Sequence, residues 1–162
     1  MPWYDNTLFD ITADHTSSEI QFSEGRTGWG FYSVPLIFLK PDHSLHGERS
    51  EIAQQIDITP SALGQLHFDR PYIAFGRDLF SGHAAPFAVN YKDNVYQYFE
   101  GEYLLQFDGA VSVGLYNINS DKLMVHDVIG EFPDVARTME EKVKALIQQY
   151  NNRMVADKLT VQ

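Results

Sequence analysis

An aspartate followed at once by a histidine, Asp14-His15, closes a short, mostly apolar run, Thr7-Leu8-Phe9-Asp10-Ile11-Thr12-Ala13. A carboxylate and a neutral imidazole together suit Zn, Mn, Fe and similar divalent ions. Neighbouring side chains on a strand point to opposite faces, so two of them can share one ion only where the backbone has begun to turn. The carboxyl end of a strand in an open α/β sheet is such a place, and it is also where those sheets hold ligands. The dipeptide alone is equally the mark of a surface turn or an Asx-type cap. Its meaning therefore depends on the sequence around it.

Other chemistry-bearing residues carry weaker patterns. Ser17 and Ser18 follow the pair without a base evident in the sequence, so a serine nucleophile is not expected. His43 and His46 share a loop but lack fixed ligand spacing, and His67, His83 and His126 read as surface or hydrogen-bonded histidines. Gly25-Arg26-Thr27-Gly28-Trp29-Gly30 is glycine-rich but has no phosphate-loop pattern and leads into a strand, so a flexible connection is expected, with Arg26 a candidate substrate contact. Asp57 reads as a structural tie before a helix.

Three stretches must position these residues, and no repeat or Gly/Ser linker divides them. Residues 1–86 form an α/β part. There the run from Thr7 and the run Val34-Pro35-Leu36-Ile37-Phe38-Leu39 read as buried parallel strands, and Thr59 and Pro60 open a short helix, as N-cap and first position, with Leu63 and Leu66 on one face. Residues 87–127 alternate apolar and polar positions in four short runs and read as an antiparallel meander, with Asp108-Gly109 the strongest hairpin signal. Residues 133–156 place Val135, Met139, Val143, Leu146, Tyr150 and Met154 at helical spacing, the stripe of an amphipathic helix. A strand expected to be buried on both faces stands near residue 1, which leads us to expect a truncated domain.

Composition narrows the function classes. The 162 residues are 44% apolar, enough for one cored domain, and the formal charge of -10 (pI near 4.8) opposes nucleic-acid binding. A bound cation can still reverse the local field toward an anionic substrate. The absence of cysteine excludes disulfides, thiolate zinc sites and cysteine nucleophiles. No run approaches the roughly 20 apolar residues that span a bilayer, so the chain as given reads as soluble. Nine Tyr and eleven Phe, many in the meander, are expected to serve a strand-rich core rather than a ligand platform.

The segment Asn6-Thr7-Leu8-Phe9-Asp10-Ile11-Thr12-Ala13-Asp14-His15 resembles the N-T-x-F-V-I-T-A-D-H motif of the sulfatase superfamily. Val34-Pro35-Leu36-Ile37-Phe38 with Pro41, and Gln55-Ile56-Asp57-Ile58-Thr59-Pro60-Ser61-Ala62-Leu63, resemble two further segments of that family in order and spacing. Ala74-Phe75-Gly76-Arg77-Asp78-Leu79-Phe80 is similar to one that follows in the membrane-anchored branch related to lipoteichoic acid synthase and the phosphoglycerol transferases. Asp10 departs from a position usually held by Val, and Ser61 from one usually held by Thr. A carboxylate in a buried strand would be costly unless paired, protonated or solvated.

The resemblance implies the C-terminal portion of an alkaline-phosphatase-like α/β fold, taken from an enzyme acting on sulfate or phosphate esters. Asp14 and His15 would be two metal ligands, with Mn²⁺ favoured and Ca²⁺, Mg²⁺ or Zn²⁺ as alternatives. Leu45-His46-Gly47 resembles a third metal histidine of two-metal relatives but is set aside. The nucleophile and the remaining ligands would come from an N-terminal half of the parent, so no catalytic residue is assigned within this chain and the chain alone is expected to be inactive. That parent would be membrane-anchored with its catalytic domain periplasmic or extracellular. The alternative is a non-catalytic glycan- or protein-binding or assembly module built on exposed meander aromatics. Association of copies through an exposed strand is a further expectation.

Overall fold

The computed structural model describes residues 1, 3–17, 19, 21–82 and 85–161. Its main body is a four-stranded antiparallel meander, β3 (Phe87–Lys92), β4 (Val95–Glu100), β5 (Tyr103–Phe107) and β6 (Ser112–Asn117), in sequential order, followed by the long helix α2 (Pro133–Val155). Before it come two short strands, β1 (Phe9–Ile11) and β2 (Ile37–Leu39), and the helix α1 (Ile58–Gln65). The architecture is the expected mixed α/β one, with the meander and C-terminal helix at the expected positions. Among the described residues no helix is long and apolar enough to cross a membrane.

Strand period explains how the meander is used. Alternate residues share a face, and the registers Val89↔Tyr98, Tyr98↔Leu105 and Leu105↔Leu115 carry one apolar row across all four strands. Onto this row α2 lays Ala136, Met139 and Val143, which with Tyr98, Leu105, Phe107 and Leu115 form the buried core. Burying each large aliphatic chain there contributes about 1.5–3 kcal/mol. The second half of the predicted helical stripe does not join this core: Tyr150 and Met154 are about half exposed, and Tyr150 instead meets the Phe75 ring edge-on at 5.5 Å. The opposite sheet face is buried too, at Leu104 and Phe99. Most of the meander aromatics thus serve the core, as expected from their strand pattern, while Tyr91 near the end of β3 is exposed.

Two-residue connections set the registers. β3 and β4 join through Asp93-Asn94, both with positive φ (54° and 64°), the conformation whose twist matches a right-handed ribbon. The Asp108-Gly109 signal does mark the β5–β6 connection, but as a longer loop with a register shift at Gln106/Phe107, where the Asp108 carboxylate accepts the amides of Ala110 and Val111.

The first stretch differs from expectation. β1 and β2 pair antiparallel, Phe9↔Leu39 through Ile11↔Ile37, and are largely exposed rather than buried and parallel. A parallel pair needs a crossover, usually a helix. Among the described residues, 12–36 supply only two single turns of 3-10 helix, Glu24–Arg26 and Gly30–Tyr32, and the chain doubles back. Asp10 accordingly sits exposed, and partial desolvation pushes its carboxyl above the usual range without the penalty of a buried strand. The helix α1 starts two residues earlier than expected, with Asp57 at the N-cap position and Pro60 third, because a 3-10 turn (Gln55–Asp57) runs straight into it. Leu66 lies past its end, 70% exposed.

Candidate functional site

Asp14 and His15 follow β1 where the chain leaves the ribbon. One carboxylate oxygen of Asp14, Oδ1, accepts the His15 amide at 2.9 Å, and the other, Oδ2, lies 3.5 Å from His15 Nε2. The remaining ring nitrogen, Nδ1, is 2.7 Å from the Thr16 carbonyl. A carbonyl can only accept, so this contact places a proton on Nδ1, and it is Nε2 that is turned toward Asp14, able to offer its lone pair to an ion in the neutral ring. The arrangement is that of a histidine whose tautomer is fixed by a backbone carbonyl, a common support for metal ligation.

Three neighbours hold this geometry. Thr16 is tied to Phe31, whose carbonyl accepts its amide at 2.9 Å and its hydroxyl at 3.1 Å. The Phe31 ring lies flat against the His15 imidazole, 4.8 Å between centroids at 13°. From the other side Gln55 Nε2 donates to the Ala13 carbonyl at 2.5 Å and the Asp14 carbonyl at 3.4 Å. The Gly25 to Gly30 segment that carries Phe31 is built rather than loose: Thr27 Oγ1 donates to the Glu24 carbonyl at 2.6 Å and accepts the Gly30 amide at 3.1 Å, and Gly30 is buried. A side chain at 30 would overlap the Glu24 carbonyl, which is why glycine stands there.

Gln55 is in turn anchored through Asp57, which is completely buried. Asp57 Oδ2 accepts the Gln54 amide at 3.0 Å and Oδ1 the Arg77 amide at 2.8 Å. The structural role expected of Asp57 is borne out. Burial pushes its carboxyl above the usual range, against the pull of those two amides and of the Arg77 charge. The Arg77 guanidinium meets Glu51 at 3.4 Å and the Ile52 carbonyl at 2.8 Å, so the segments 51–57 and 76–79 are locked together. Ser61, the other departure from the motif, donates no strain: its buried hydroxyl accepts the Leu79 amide at 3.0 Å.

A cleft of about 290 Å³ opens beside Asp14, bounded by Trp29, Tyr32, Gln54, Asn90 and Phe99. Asp14 is largely exposed and His15 about half so. Two ligand atoms on one ion with bonds of ~2.0–2.2 Å stand roughly 3–3.4 Å apart, so the observed separation fits a shared divalent ion with little movement. Among the described residues no group of three or more His, Asp or Glu side chains gathers anywhere. Any ion held by this pair would therefore take its other ligands from water or from outside these residues.

The remaining candidates do not join it. His46 is exposed on a separate cleft shared with Phe38, Arg49 and Phe80, and His43, His67 and His126 are exposed on other loops. Ser17 is exposed and accepts the Glu19 amide at 3.2 Å; Ser18 and His83 lie outside the described residues. Arg26 closes its 3-10 turn at the surface. Sequence reasoning missed Gln55 and Phe31 as supports of the pair. Gln55 stands in a motif segment, whereas nothing local marks Phe31, whose role depends on the turn that carries it.

No protein-family model matches the chain, and no curated protein matches it. Solved structures do. The chain is similar to Ps i-CgsB at a TM-score of 0.65 and 17% identity, over 89% of this chain and 37% of that one. Ps i-CgsB in complex with k-i-k-neocarrahexaose gives 0.61 and 18%, over 89% and 37%. A Bacteroides thetaiotaomicron protein designated BT33336S-sulf, described with the metabolism of multiple glycosaminoglycans, gives 0.67 and 18%, over 90% and 39%. At these identities the likeness is one of fold: the chain has the fold of part of a sulfatase-like domain and spans less than two-fifths of the length of those proteins.

Proposed function

We propose that this chain is part of a metal-dependent hydrolase or transferase of sulfate or phosphate esters, to which it contributes two metal ligands, Asp14 and His15. The observation that carries the reading is the orientation of His15. Its Nδ1 is engaged by the Thr16 carbonyl, and its Nε2 faces an exposed Asp14 oxygen at a separation suited to one ion. The likeness of fold to part of sulfatase-like domains, and the resemblance of residues 6–15 to a motif of that superfamily, support the same assignment.

A divalent ion on the pair, with Mn²⁺ favoured, would polarise a non-bridging oxygen of the ester as a Lewis acid. The chain's own part is to hold the two ligands in place. Thr16 keeps the imidazole in its ligating tautomer, Phe31 fixes the ring plane, and Gln55 fixes the backbone of Asp14. Covalent catalysis also needs an activated nucleophile in line, which this reading places outside the chain, together with the remaining ligands.

The test is a Mn²⁺ titration of the chain followed by NMR. Paramagnetic broadening that begins at the His15 ring and the Asp14 amide, and disappears in Asp14→Asn, is the expected result. Broadening that starts at other carboxylates and is unchanged by Asp14→Asn would sink the assignment.

A further inference from the structure

The cleft beside Asp14 is bordered by polar side chains that neither the metal pair nor its supports use. Several others on its wall are already engaged. Gln54 Oε1 accepts the Val89 amide at 3.2 Å, Gln55 Nε2 donates to the Ala13 carbonyl, and Trp29 Nε1 donates to the Lys122 carbonyl at 3.2 Å. Asn90, Tyr32 and Ser33 also border the cleft, and their side-chain polar atoms have no hydrogen-bond partner among the described residues. The buried side-chain atoms that lack a partner belong to Gln54, Arg77 and Gln97 instead, so these three groups remain open to a ligand. Strand parity aims Asn90 at the cleft. It follows Val89, which packs on the core beneath α2, so it faces the other way, on the side of Ala88 and its cross-strand partner Phe99.

An amide, a phenol and a hydroxyl share one property: each has both donor and acceptor capacity. The hydroxyls of a polyol have the same pair of capacities, so the two kinds of group suit one another. A further anionic substituent would need a cation or a set of donors to replace its water. Among the described residues that border the cleft, Asp14 is the one charged side chain. Lys92, two positions beyond Asn90, lies over the Phe31 ring at 4.4 Å and does not border it. A second anion entering here would therefore lose water without meeting a cation other than the ion already engaged by the ester. The volume of about 290 Å³ stands at the low end of the ~300–1,000 Å³ of ligand pockets, room for one ring-sized moiety. Trp29 and Phe99 offer it apolar surface for its C–H groups.

We infer that this cleft receives the alcohol part of the ester, and that Asn90 and Tyr32 are specificity-determining residues that select a neutral, hydroxyl-rich alcohol over one carrying a further anionic group. The inference rests on the metal pair proposed above, since an ion on Asp14 and His15 is what would hold the ester group next to the cleft. A sugar ring and a glycerol unit share the required chemistry. Side chains that merely faced solvent would discriminate between no ligands.

The experiment is calorimetric titration of the chain at saturating Mn²⁺ with a glucose monosulfate, a glycerol monosulfate and a glucose disulfate. It is run on wild type, Asn90→Ala, Tyr32→Phe, Asn90→Lys and Asp14→Asn, with the Mn²⁺ affinity of each measured alongside. In wild type the glucose disulfate should bind at least about fivefold more weakly than the tighter monosulfate. Asn90→Ala and Tyr32→Phe should each weaken that monosulfate by roughly three- to tenfold, the loss of one hydrogen bond, with Mn²⁺ affinity held within about twofold. Asn90→Lys should move the preference toward the disulfate, a gain that damage to the fold would not give. Tighter binding of the glucose ester assigns the cleft to a sugar ring, and tighter binding of the glycerol ester to a short polyol; both bear the inference out. Equal affinity for mono- and disulfate, or monosulfate affinity unchanged in both Asn90→Ala and Tyr32→Phe, overturns the role of the cleft; Mn²⁺ binding still lost in Asp14→Asn then leaves the metal pair standing. Mn²⁺ binding that does not depend on Asp14 overturns the metal pair and this inference with it. Should Asn90→Ala unfold, Tyr32→Phe, which removes a single oxygen, decides.

Discussion

Replacing Asp57 by Asn tests whether a buried carboxylate is what holds the floor of the candidate site. Both oxygens of Asp57 accept backbone amides, from Gln54 at 3.0 Å and Arg77 at 2.8 Å, in a place with no solvent access. Asparagine offers one oxygen, so one amide would face an NH₂ group instead. A buried donor left without an acceptor costs ~1–3 kcal/mol, and the loss of the charge near Arg77 is offset by cheaper desolvation of a neutral group, which puts the expected loss at about 2 kcal/mol. The pH dependence follows from the direction of the shift. Burial raises the Asp57 pKa above its ordinary 3.8, so the folded protein holds this proton more tightly than the unfolded chain does. Its stabilising contribution is therefore full below 3.8 and declines as pH rises through the elevated folded value. A protonated carboxyl still accepts both amides, since its hydroxyl oxygen keeps a lone pair; the amide of asparagine does not. Urea unfolding of both proteins across pH 3.5 to 7.5, in steps of about 0.5, should show a gap that widens as pH falls. The His15 ring signals should broaden in the variant, because Gln55, which clamps Asp14, is two residues from Asp57. A gap under about 0.5 kcal/mol at neutral pH, or one that narrows toward acid, would refute this reasoning.

Gly30→Ala drives a methyl group into the Glu24 carbonyl, with its carbon 2.8 Å away, and should cost about 1–3 kcal/mol or separate the two 3-10 turns; loss of the Phe31 ring-current shift at His15 in the NMR spectrum checks it. Leu105→Ala empties a fully buried position beneath α2 and should lower stability by ~3–5 kcal/mol in urea melts. Glu140 is held below the usual carboxylate range by Lys144 and by the Ser112 hydroxyl and amide, so its contribution is present above 4.5 and lost as pH falls through the depressed value. Glu140→Gln should accordingly flatten the acid limb of the stability curve while costing less than about 1 kcal/mol at neutral pH.

The meander and α2 were legible because their signals are local. Strand alternation between 87 and 117, turn residues at the hairpins, and apolar residues three and four apart after Pro133 each act over a few residues, and the core at Leu105, Leu115, Met139 and Val143 follows from them. The first stretch was not legible in the same way. The runs at 7–13 and 34–39 are apolar enough for buried strands, yet strand direction depends on the connection, and the described residues of 12–36 carry only single turns. Burial depends on what covers a strand, which its own composition does not state. Tyr150 and Met154 were misplaced for a related reason, since helical periodicity continues beyond the sheet that could cover it.

The site divides along the same line. Asp14 and His15 are adjacent in sequence, so their pairing could be read directly; Gln55 stands 41 residues beyond Asp14, and Phe31 stands 16 beyond His15. Each reaches the pair through a different kind of order: Gln55 through the Asp57 tie and Phe31 through the turn closed at Gly30. The proposed ligands thus stand in a motif, while their orientation is set by packing between segments. Substitutions that spare Asp14 and His15 but loosen either of these two supports should therefore weaken metal binding at the proposed site while leaving both of its donor side chains in place.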